Sequence, residues 1–301
     1  MVYDEVTLLV SSCDKYSTAW FPFFELIKYN WPGHPQKIVL NTETINYSHK
    51  GLSIETITEP YINSTWSQRL LNCLNKITTD YIIFSLEDFF IQCPIKEDIL
   101  EYCLEKMKNN PKIACFRLKA SNEKNLKKSE YDPFYLADES VPYRLDTQFS
   151  IWRKEILISF INEKESPWEF EGKGTERIKG TDKLFYWFYN KNPEKITDEL
   201  IVPYVIGHFT GYGIQWGKWL YNNKELFEKY KIKVDFNKLG MLNERSVNFR
   251  MKTVYNPNAT GIYKYLKFIF LIKLKLEHCI DILKNKGFIS FVHMLKMRGR
   301  K

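Results

Sequence analysis

The sequence has no G-x-G-x-x-G turn, no G-K-[ST] after an apolar run and no G-x-S-x-G elbow. Those absences weigh against dinucleotide-binding dehydrogenases, P-loop enzymes and α/β-hydrolases, which need those glycines for close backbone approach to a phosphate or a nucleophile. The six cysteines, Cys13, Cys73, Cys93, Cys103, Cys115 and Cys279, include no C-x-x-C pair and none at a zinc-ligand spacing from a histidine. They read as isolated thiols of a reducing compartment. Residues 1–5 supply neither a basic stretch nor a long apolar one, so no signal peptide is expected. No apolar run approaches the roughly 20 residues that a spanning helix needs.

The chain does contain an uneven charge distribution. The net charge is +8. Residues 261–301 hold ten of the 44 Lys+Arg and two of the 36 Asp+Glu, which leaves 34 of each in the body. A neutral body argues against a nucleic-acid partner, which would ask for a basic groove. In the tail, lysines at 264, 267, 273 and 275 interrupt an aromatic and aliphatic run. That pattern suits peripheral attachment to an anionic membrane surface. The expected organisation is one catalytic domain over residues 1–260 and a basic amphipathic helical region over 261–301.

Within the body, apolar runs at 5–11, 37–40, 52–57, 81–86 and 113–118 read as strands. Helical periodicity covers 18–30, 65–77 and 99–107, with Trp31-Pro32-Gly33 as a clear breaker. Such alternation predicts an α/β fold, a mostly parallel twisted sheet with helices on both faces. Residues 119–142 read as an irregular functional loop, 144–152 as extended and 153–161 as helical. Residues 167–171 read as a turn or short strand, 182–189 as an aromatic helix and 200–206 as a late strand.

Two acidic segments are the candidates for chemistry. Glu87-Asp88 ends the apolar run 81–86, and ligands of open α/β sheets sit beyond the carboxyl ends of the strands. A departing diphosphate needs its charge neutralised there, which a carboxylate-held Mg²⁺ or Mn²⁺ achieves. In the run Trp168-Glu169-Phe170-Glu171 an extended backbone would put both aromatics on one side and both glutamates on the other. A carboxylate so placed can take a proton from an acceptor hydroxyl; Glu171 is the favoured base and Glu169 the alternative.

The order of these segments resembles the GT-A glycosyltransferases, and among them bacterial family-2-like enzymes of cell-surface polysaccharide and capsule synthesis. In that family a helix with an early Arg precedes a hydrophobic strand ending in D-x-D. The resemblance implies that Arg69 faces the nucleotide and that Glu87 and Asp88 occupy the D-x-D place. The acidic residues are adjacent here, whereas the family pattern separates them. It also implies that Ser12, Asp14 and Asn41, at the ends of the first two strands, contact the nucleoside. His208 would join Asp88 on a divalent cation, and the run 148–154 followed by 166–172 would supply the base. The implied function is transfer of a sugar from a nucleoside diphosphate-sugar to a growing cell-surface glycan or lipid-linked acceptor, at the cytoplasmic face of the membrane. Tyr212, Trp216 and Trp219 offer stacking surfaces for sugar rings. The alternatives are a sugar-phosphate nucleotidyltransferase and a degenerate, non-catalytic module that binds glycan or membrane.

Overall fold

The computed structural model describes residues 3–59, 64–193, 195–204 and 213–253. The chain divides into two units, residues 1–241 and 242–301. The second is described over residues 242–253, chiefly helix Glu244–Thr253, whose Ser246 N donates to Asn243 Oδ1 at 2.8 Å. The expected basic region, 261–301, lies outside the described residues.

The first unit opens with β1 (Val6–Ser11), a 3-10 turn (Asp14–Ala19), α1 (Trp20–Asn30), β2 (Lys37–Thr42) and β3 (Ile54–Thr58). It continues with α2 (Trp66–Lys76), β4 (Tyr81–Leu86), α3 (Glu97–Asn109) and β5 (Ile113–Ser121). Two short strands, β6 (Lys127–Lys128) and β7 (Phe134–Leu136), lie in the segment read as irregular. Then come β8 (Ser150–Arg153), α4 (Lys154–Phe160), α5 (Pro167–Arg177) and β9 (Leu184–Tyr189). After these come the hairpin β10 (Ile214–Gln215) and β11 (Lys218–Leu220), α6 (Asn223–Lys229) and a last short strand, Met241–Leu242.

Nine strands form one sheet in the order β3-β2-β1-β4-β8-β5-β9-β7-β6. From β3 to β4 every pairing is parallel. β8 then enters antiparallel between β4 and β5, β9 runs parallel to β5, and the β7 and β6 pairings are antiparallel. The fold is thus α/β with a mixed sheet, whose continuous parallel part, β3-β2-β1-β4, comes from the amino-terminal half.

Helices cover both faces because the strand side chains alternate. Leu8, Val10, Ile38, Leu40 and Ile83 join Trp20, Phe23 and Phe24 of α1 and Leu100, Leu104 and Met107 of α3. Leu9, Val39, Ile82 and Phe84 point the other way, onto Leu70, Cys73 and Leu74 of α2, Leu157 of α4 and Phe170 of α5. Each fully buried large side chain of this kind contributes about 1.5–3 kcal/mol.

Two local expectations are corrected. Residues 182–189 were expected to be helical, but Leu184–Tyr189 is a strand. Phe185 and Trp187 pack on one face while Tyr186 and Phe188 pack on the other, so an unbroken aromatic run serves a strand covered on both sides. Residues 167–171 are neither turn nor strand but the start of α5. Ser166 caps it: its hydroxyl takes the Glu169 N–H while the Glu169 carboxylate takes the Ser166 N–H, with Pro167 in the first turn. Of the expected late strand at 200–206, Tyr204 makes an isolated bridge to Ile91, and 205–206 lie outside the described residues.

Candidate active site

The carboxyl ends of β1, β2 and β4 lie side by side, since Ser11 registers with both Asn41 and Leu86. Tryptophans fasten the end of β1. Trp66 Nε1 donates to Ser11 Oγ at 2.9 Å, and Trp20 Nε1 donates to Ser12 Oγ at 2.7 Å. Asn41 is buried and spends its groups on the scaffold: its carbonyl takes the Ser12 N–H at 2.9 Å and its Nδ2 donates to Ile57 O at 3.3 Å. Asp14 likewise organises the loop after β2, accepting from the N–H groups of Glu43, Thr44 and Ile45 and from the Thr44 hydroxyl. Burial pushes the Asp14 carboxyl up, but those bonds together hold it below its ordinary value.

Arg69 sits in the first turn of α2, where Thr65 caps the helix by accepting from Gln68 N at 3.1 Å. Its guanidinium is nearly buried, donates to Ser64 O at 3.2 Å and lies 3.5 Å from Glu43 Oε1. Its Nε is buried without a hydrogen-bond partner among the described residues. Glu43 and Glu87 both raise the Cys13 thiol, whose pKa is pushed up to about 12, chiefly by burial. Arg69 acts on that thiol in the opposite sense. Arg69, Glu43 and Glu87 thus all lie near enough to Cys13, just after β1, to act on its thiol.

Glu87 and Asp88 leave the end of β4 and are both buried. Burial pushes the Glu87 carboxyl well up, the Asp88 charge adds to this, and the Ser12 hydroxyl acts against it. Burial also lifts Asp88 to about 7, against hydrogen bonding from the Ile214 N–H at 3.1 Å. Neither carboxylate has a basic partner among the described residues. The two phenylalanines after the pair anchor it. Phe89 stacks on Tyr204 with ring centres 4.8 Å apart, and Phe90 stacks on Trp219 at 5.9 Å. Gly213 donates to Asp88 O at 2.8 Å, an approach only glycine permits: a Cβ there would lie 2.1 Å from the Phe90 ring and 3.0 Å from Asp88 O. Trp219 is fully buried in this packing and offers no stacking surface.

A second acidic group leaves the same sheet edge. Phe84 registers with Ser150, so Asp88 and Asp146 each lie four residues beyond that antiparallel pair in the same direction. Asp146 pairs with Arg117 of β5, which lies over the Trp187 ring with 4.3 Å to its centre. Burial nevertheless leaves the Asp146 carboxyl above its ordinary value. Glu171, on α5, accepts from Thr147 N at 2.9 Å and Thr147 Oγ1 at 2.7 Å, both on Oε1. Burial first and the Asp146 charge second push it up. Glu169 is differently committed. It bonds Lys173 at 2.8 Å and closes the helix cap, which together hold it down at about 2.

The candidate residues therefore divide. Ser12, Glu87 and Asp88 lie at the ends of β1 and β4, Arg69 sits in the first turn of α2 against Glu43, Asn41 and Asp14 brace the loops beside β1 and β2, and the Asp146 charge acts on Glu171. His208 and Tyr212 lie outside the described residues. The sequence reading missed Asp146 and Arg117. Their signals were Arg117 within the apolar stretch Ile113–Leu118 and the polar run Asp146-Thr147-Gln148 shortly before β8.

Among the described residues no group of three or more His, Cys, Asp or Glu could hold a metal ion. Glu87 and Asp88 alone still suit a hard divalent cation that draws its other ligands from phosphate oxygens and water, as Mg²⁺ commonly does. Their missing basic partner and mutual repulsion are what such an ion relieves.

No protein-family model matches the chain, and no curated protein matches it in sequence. Among solved structures, Staphylococcus aureus TarS 1–349 is 11% identical, with 63% of this chain and 61% of that one covered and a TM-score of 0.41. The same protein in complex with UDP-GlcNAc gives 10%, 65%, 60% and 0.39. A cytidylyltransferase from Leptospira borgpetersenii is 14% identical, with 66% and 79% covered and a TM-score of 0.38. The bifunctional IspDF from Campylobacter jejuni is 12% identical, with 63% and 50% covered and a TM-score of 0.36. The chain spans less than two thirds of TarS 1–349 and of IspDF. What the edge can do chemically is decided by its own residues.

Proposed function

We propose that this chain is a transferase that moves a sugar from a nucleoside diphosphate-sugar to a hydroxyl of a glycan or lipid-linked saccharide. The observation that carries this is the pair of buried, mutually repelling carboxylates at the end of β4, on the same edge as a separate raised carboxylate, Glu171. Two carboxylates without a basic partner suit a metal-bound diphosphate, and a third above its ordinary value suits a proton acceptor.

The nucleoside fits the ends of β1 and β2, beside Ser12, with Arg69 neutralising phosphate charge through its unpartnered Nε. Glu87 and Asp88 would hold a divalent ion, which would supply Lewis-acid neutralisation of the leaving diphosphate. His208 is a further candidate ligand. Glu171 takes the proton of the acceptor hydroxyl as its oxygen bonds to the anomeric carbon and the bond from that carbon to the diphosphate oxygen breaks. The electron pair of the broken bond leaves on the diphosphate, and the anomeric configuration inverts.

The test is thermal unfolding of the full chain with UDP, CDP, GDP or TDP, each with and without Mn²⁺. A ligand at 100 times its Kd stabilises by about 2.7 kcal/mol, several degrees for a chain of this size. One nucleotide should raise the midpoint in wild type and much less in Asp88→Asn. No shift with any of the four would refute the proposal.

Among the described residues no helix is long and apolar enough to cross a membrane. The basic residues of 261–301 favour attachment to anionic lipid, each contributing about 1 kcal/mol near the surface. Phosphatidylserine vesicles should sediment the chain at low salt and release it at high salt. Retention that is indifferent to salt would refute this electrostatic attachment.

A further inference from the structure

Helix α5 carries two features for which its packing gives no reason. Trp168, in its first turn, is 78% exposed, more than any other large hydrophobic side chain among the described residues. Gly172 lies four residues on, and a Cβ there would meet nothing within 4 Å. Gly174 is different, because a Cβ there would lie 3.0 Å from Leu145 Cδ1. Packing thus calls for a small residue at 174 and makes no such demand at 172, although glycine within a helix is destabilising relative to alanine.

Helical spacing places Trp168, Glu171, Gly172 and Thr175 on one side of α5. The contacts fix where that side faces. Glu171 takes the Thr147 N–H and hydroxyl, and Thr175 Oγ1 takes the Leu145 N–H at 3.0 Å. Phe170 turns into the core against Trp66, and Glu169 pairs with Lys173 towards solvent. Trp168 therefore stands one turn before Glu171, at the margin between the buried face and solvent, and Gly172 leaves the space beside it clear. The start of α5 also abuts the start of α2. Ser67 N donates to Glu165 O at 3.2 Å, and Trp66 bridges from Phe170 to Ser11 at the end of β1. Trp168 thus stands one turn from the carboxylate that would take the proton, on a helix whose Phe170 side is tied through Trp66 to the end of β1.

We propose that Trp168 and Gly172 form the acceptor subsite, with the indole as a platform for the apolar C–H face of a pyranose ring. The proposal rests on the transferase reading above. A pyranose has a polar rim and an apolar face. A rigid indole offers a large flat apolar surface at low entropic cost, and its N–H remains free for the rim. Glycine at 172 keeps the ring's footprint open, and the ring's hydroxyl can then reach Glu171.

The experiment uses the full chain, with immobilised linear oligomers of glucose, galactose and N-acetylglucosamine as probes and the nucleoside diphosphate shift measured in parallel. Wild type should bind at least one oligomer. Trp168→Ala should weaken that binding at least tenfold, and Trp168→Phe should recover part of it. Gly172→Leu should weaken it similarly while raising the unfolding temperature, which a purely structural glycine would not do. All three variants should keep the nucleotide shift. Equal binding by wild type and Trp168→Ala, or no oligomer bound by wild type, overturns the subsite. A nucleotide shift in wild type alongside either result leaves the donor reading standing; its absence sinks that reading separately.

Discussion

Replacing Glu171 by glutamine separates proton acceptance from shape. In the structure Oε1 receives both Thr147 bonds, at 2.9 Å and 2.7 Å, while Oε2 takes none among the described residues. A glutamine oxygen can keep both bonds, and its NH₂ would replace the oxygen that must take the proton. The two bonds weaken from charged to neutral, by about 1 kcal/mol each at most. Removing a charge that burial and Asp146 both disfavour offsets this. The net change in stability should stay within about 1 kcal/mol, or roughly 2–4 °C in the midpoint. Turnover should fall by about 10²–10⁴-fold, the usual worth of a positioned base. The assay is release of nucleoside diphosphate at saturating acceptor, with donor affinity measured separately on the same variant. A loss of only a few-fold with donor affinity intact would refute Glu171 as the base.

Glu169→Ala should do the reverse, lowering stability by about 1 kcal/mol through loss of the helix cap and leaving turnover within a few-fold; a large loss of turnover with an unchanged midpoint would restore Glu169 as the base. Glu87 and Asp88 are raised in the folded chain, so folding favours their protonated forms. Stability should fall as pH rises from the ordinary carboxylate range through about 7, the value to which Asp88 is lifted. Glu87→Gln/Asp88→Asn should flatten that slope and raise the midpoint at pH 8, as Mn²⁺ should for wild type; identical slopes in thermal scans would contradict this. Arg117→Ala should cost about 3–5 kcal/mol by leaving the Asp146 charge buried alone, and Arg117→Ala/Asp146→Ala should recover part of it in urea unfolding. No recovery would show that the loss comes from the Trp187 packing.

The parallel half of the sheet was legible because each element announced its own limits. Residues 81–86 are apolar but for Ser85 and stop at two acids, and 65–77 keeps Leu70 and Leu74 on one face. Legibility failed where one pattern served two structures. Leu184–Tyr189 is aromatic after its first residue and suits a doubly covered strand as well as a buried helix. Trp168-Glu169-Phe170-Glu171 alternates like a strand, yet Ser166, Pro167 and Glu169 together spell a helix start. The cap decides the conformation, and only helical spacing brings Trp168 to within one turn of Glu171. The pairing of Arg117 with Asp146 could not be read locally, because the register of β5 and β8 brings together residues 29 apart. Arg69 and Glu87-Asp88 were readable because each sits at the end of an element whose type was clear.

The most direct test of the donor site is a crystal structure with the nucleoside diphosphate that gives the thermal shift, grown with Mn²⁺. The account predicts the diphosphate and one metal ion against Glu87 and Asp88, the nucleoside beside Ser12 at the ends of β1 and β2, and Arg69 Nε within hydrogen-bond reach of a phosphate oxygen. A nucleotide bound anywhere other than the carboxyl edge of β1 and β4, with Glu87 and Asp88 untouched, would contradict it.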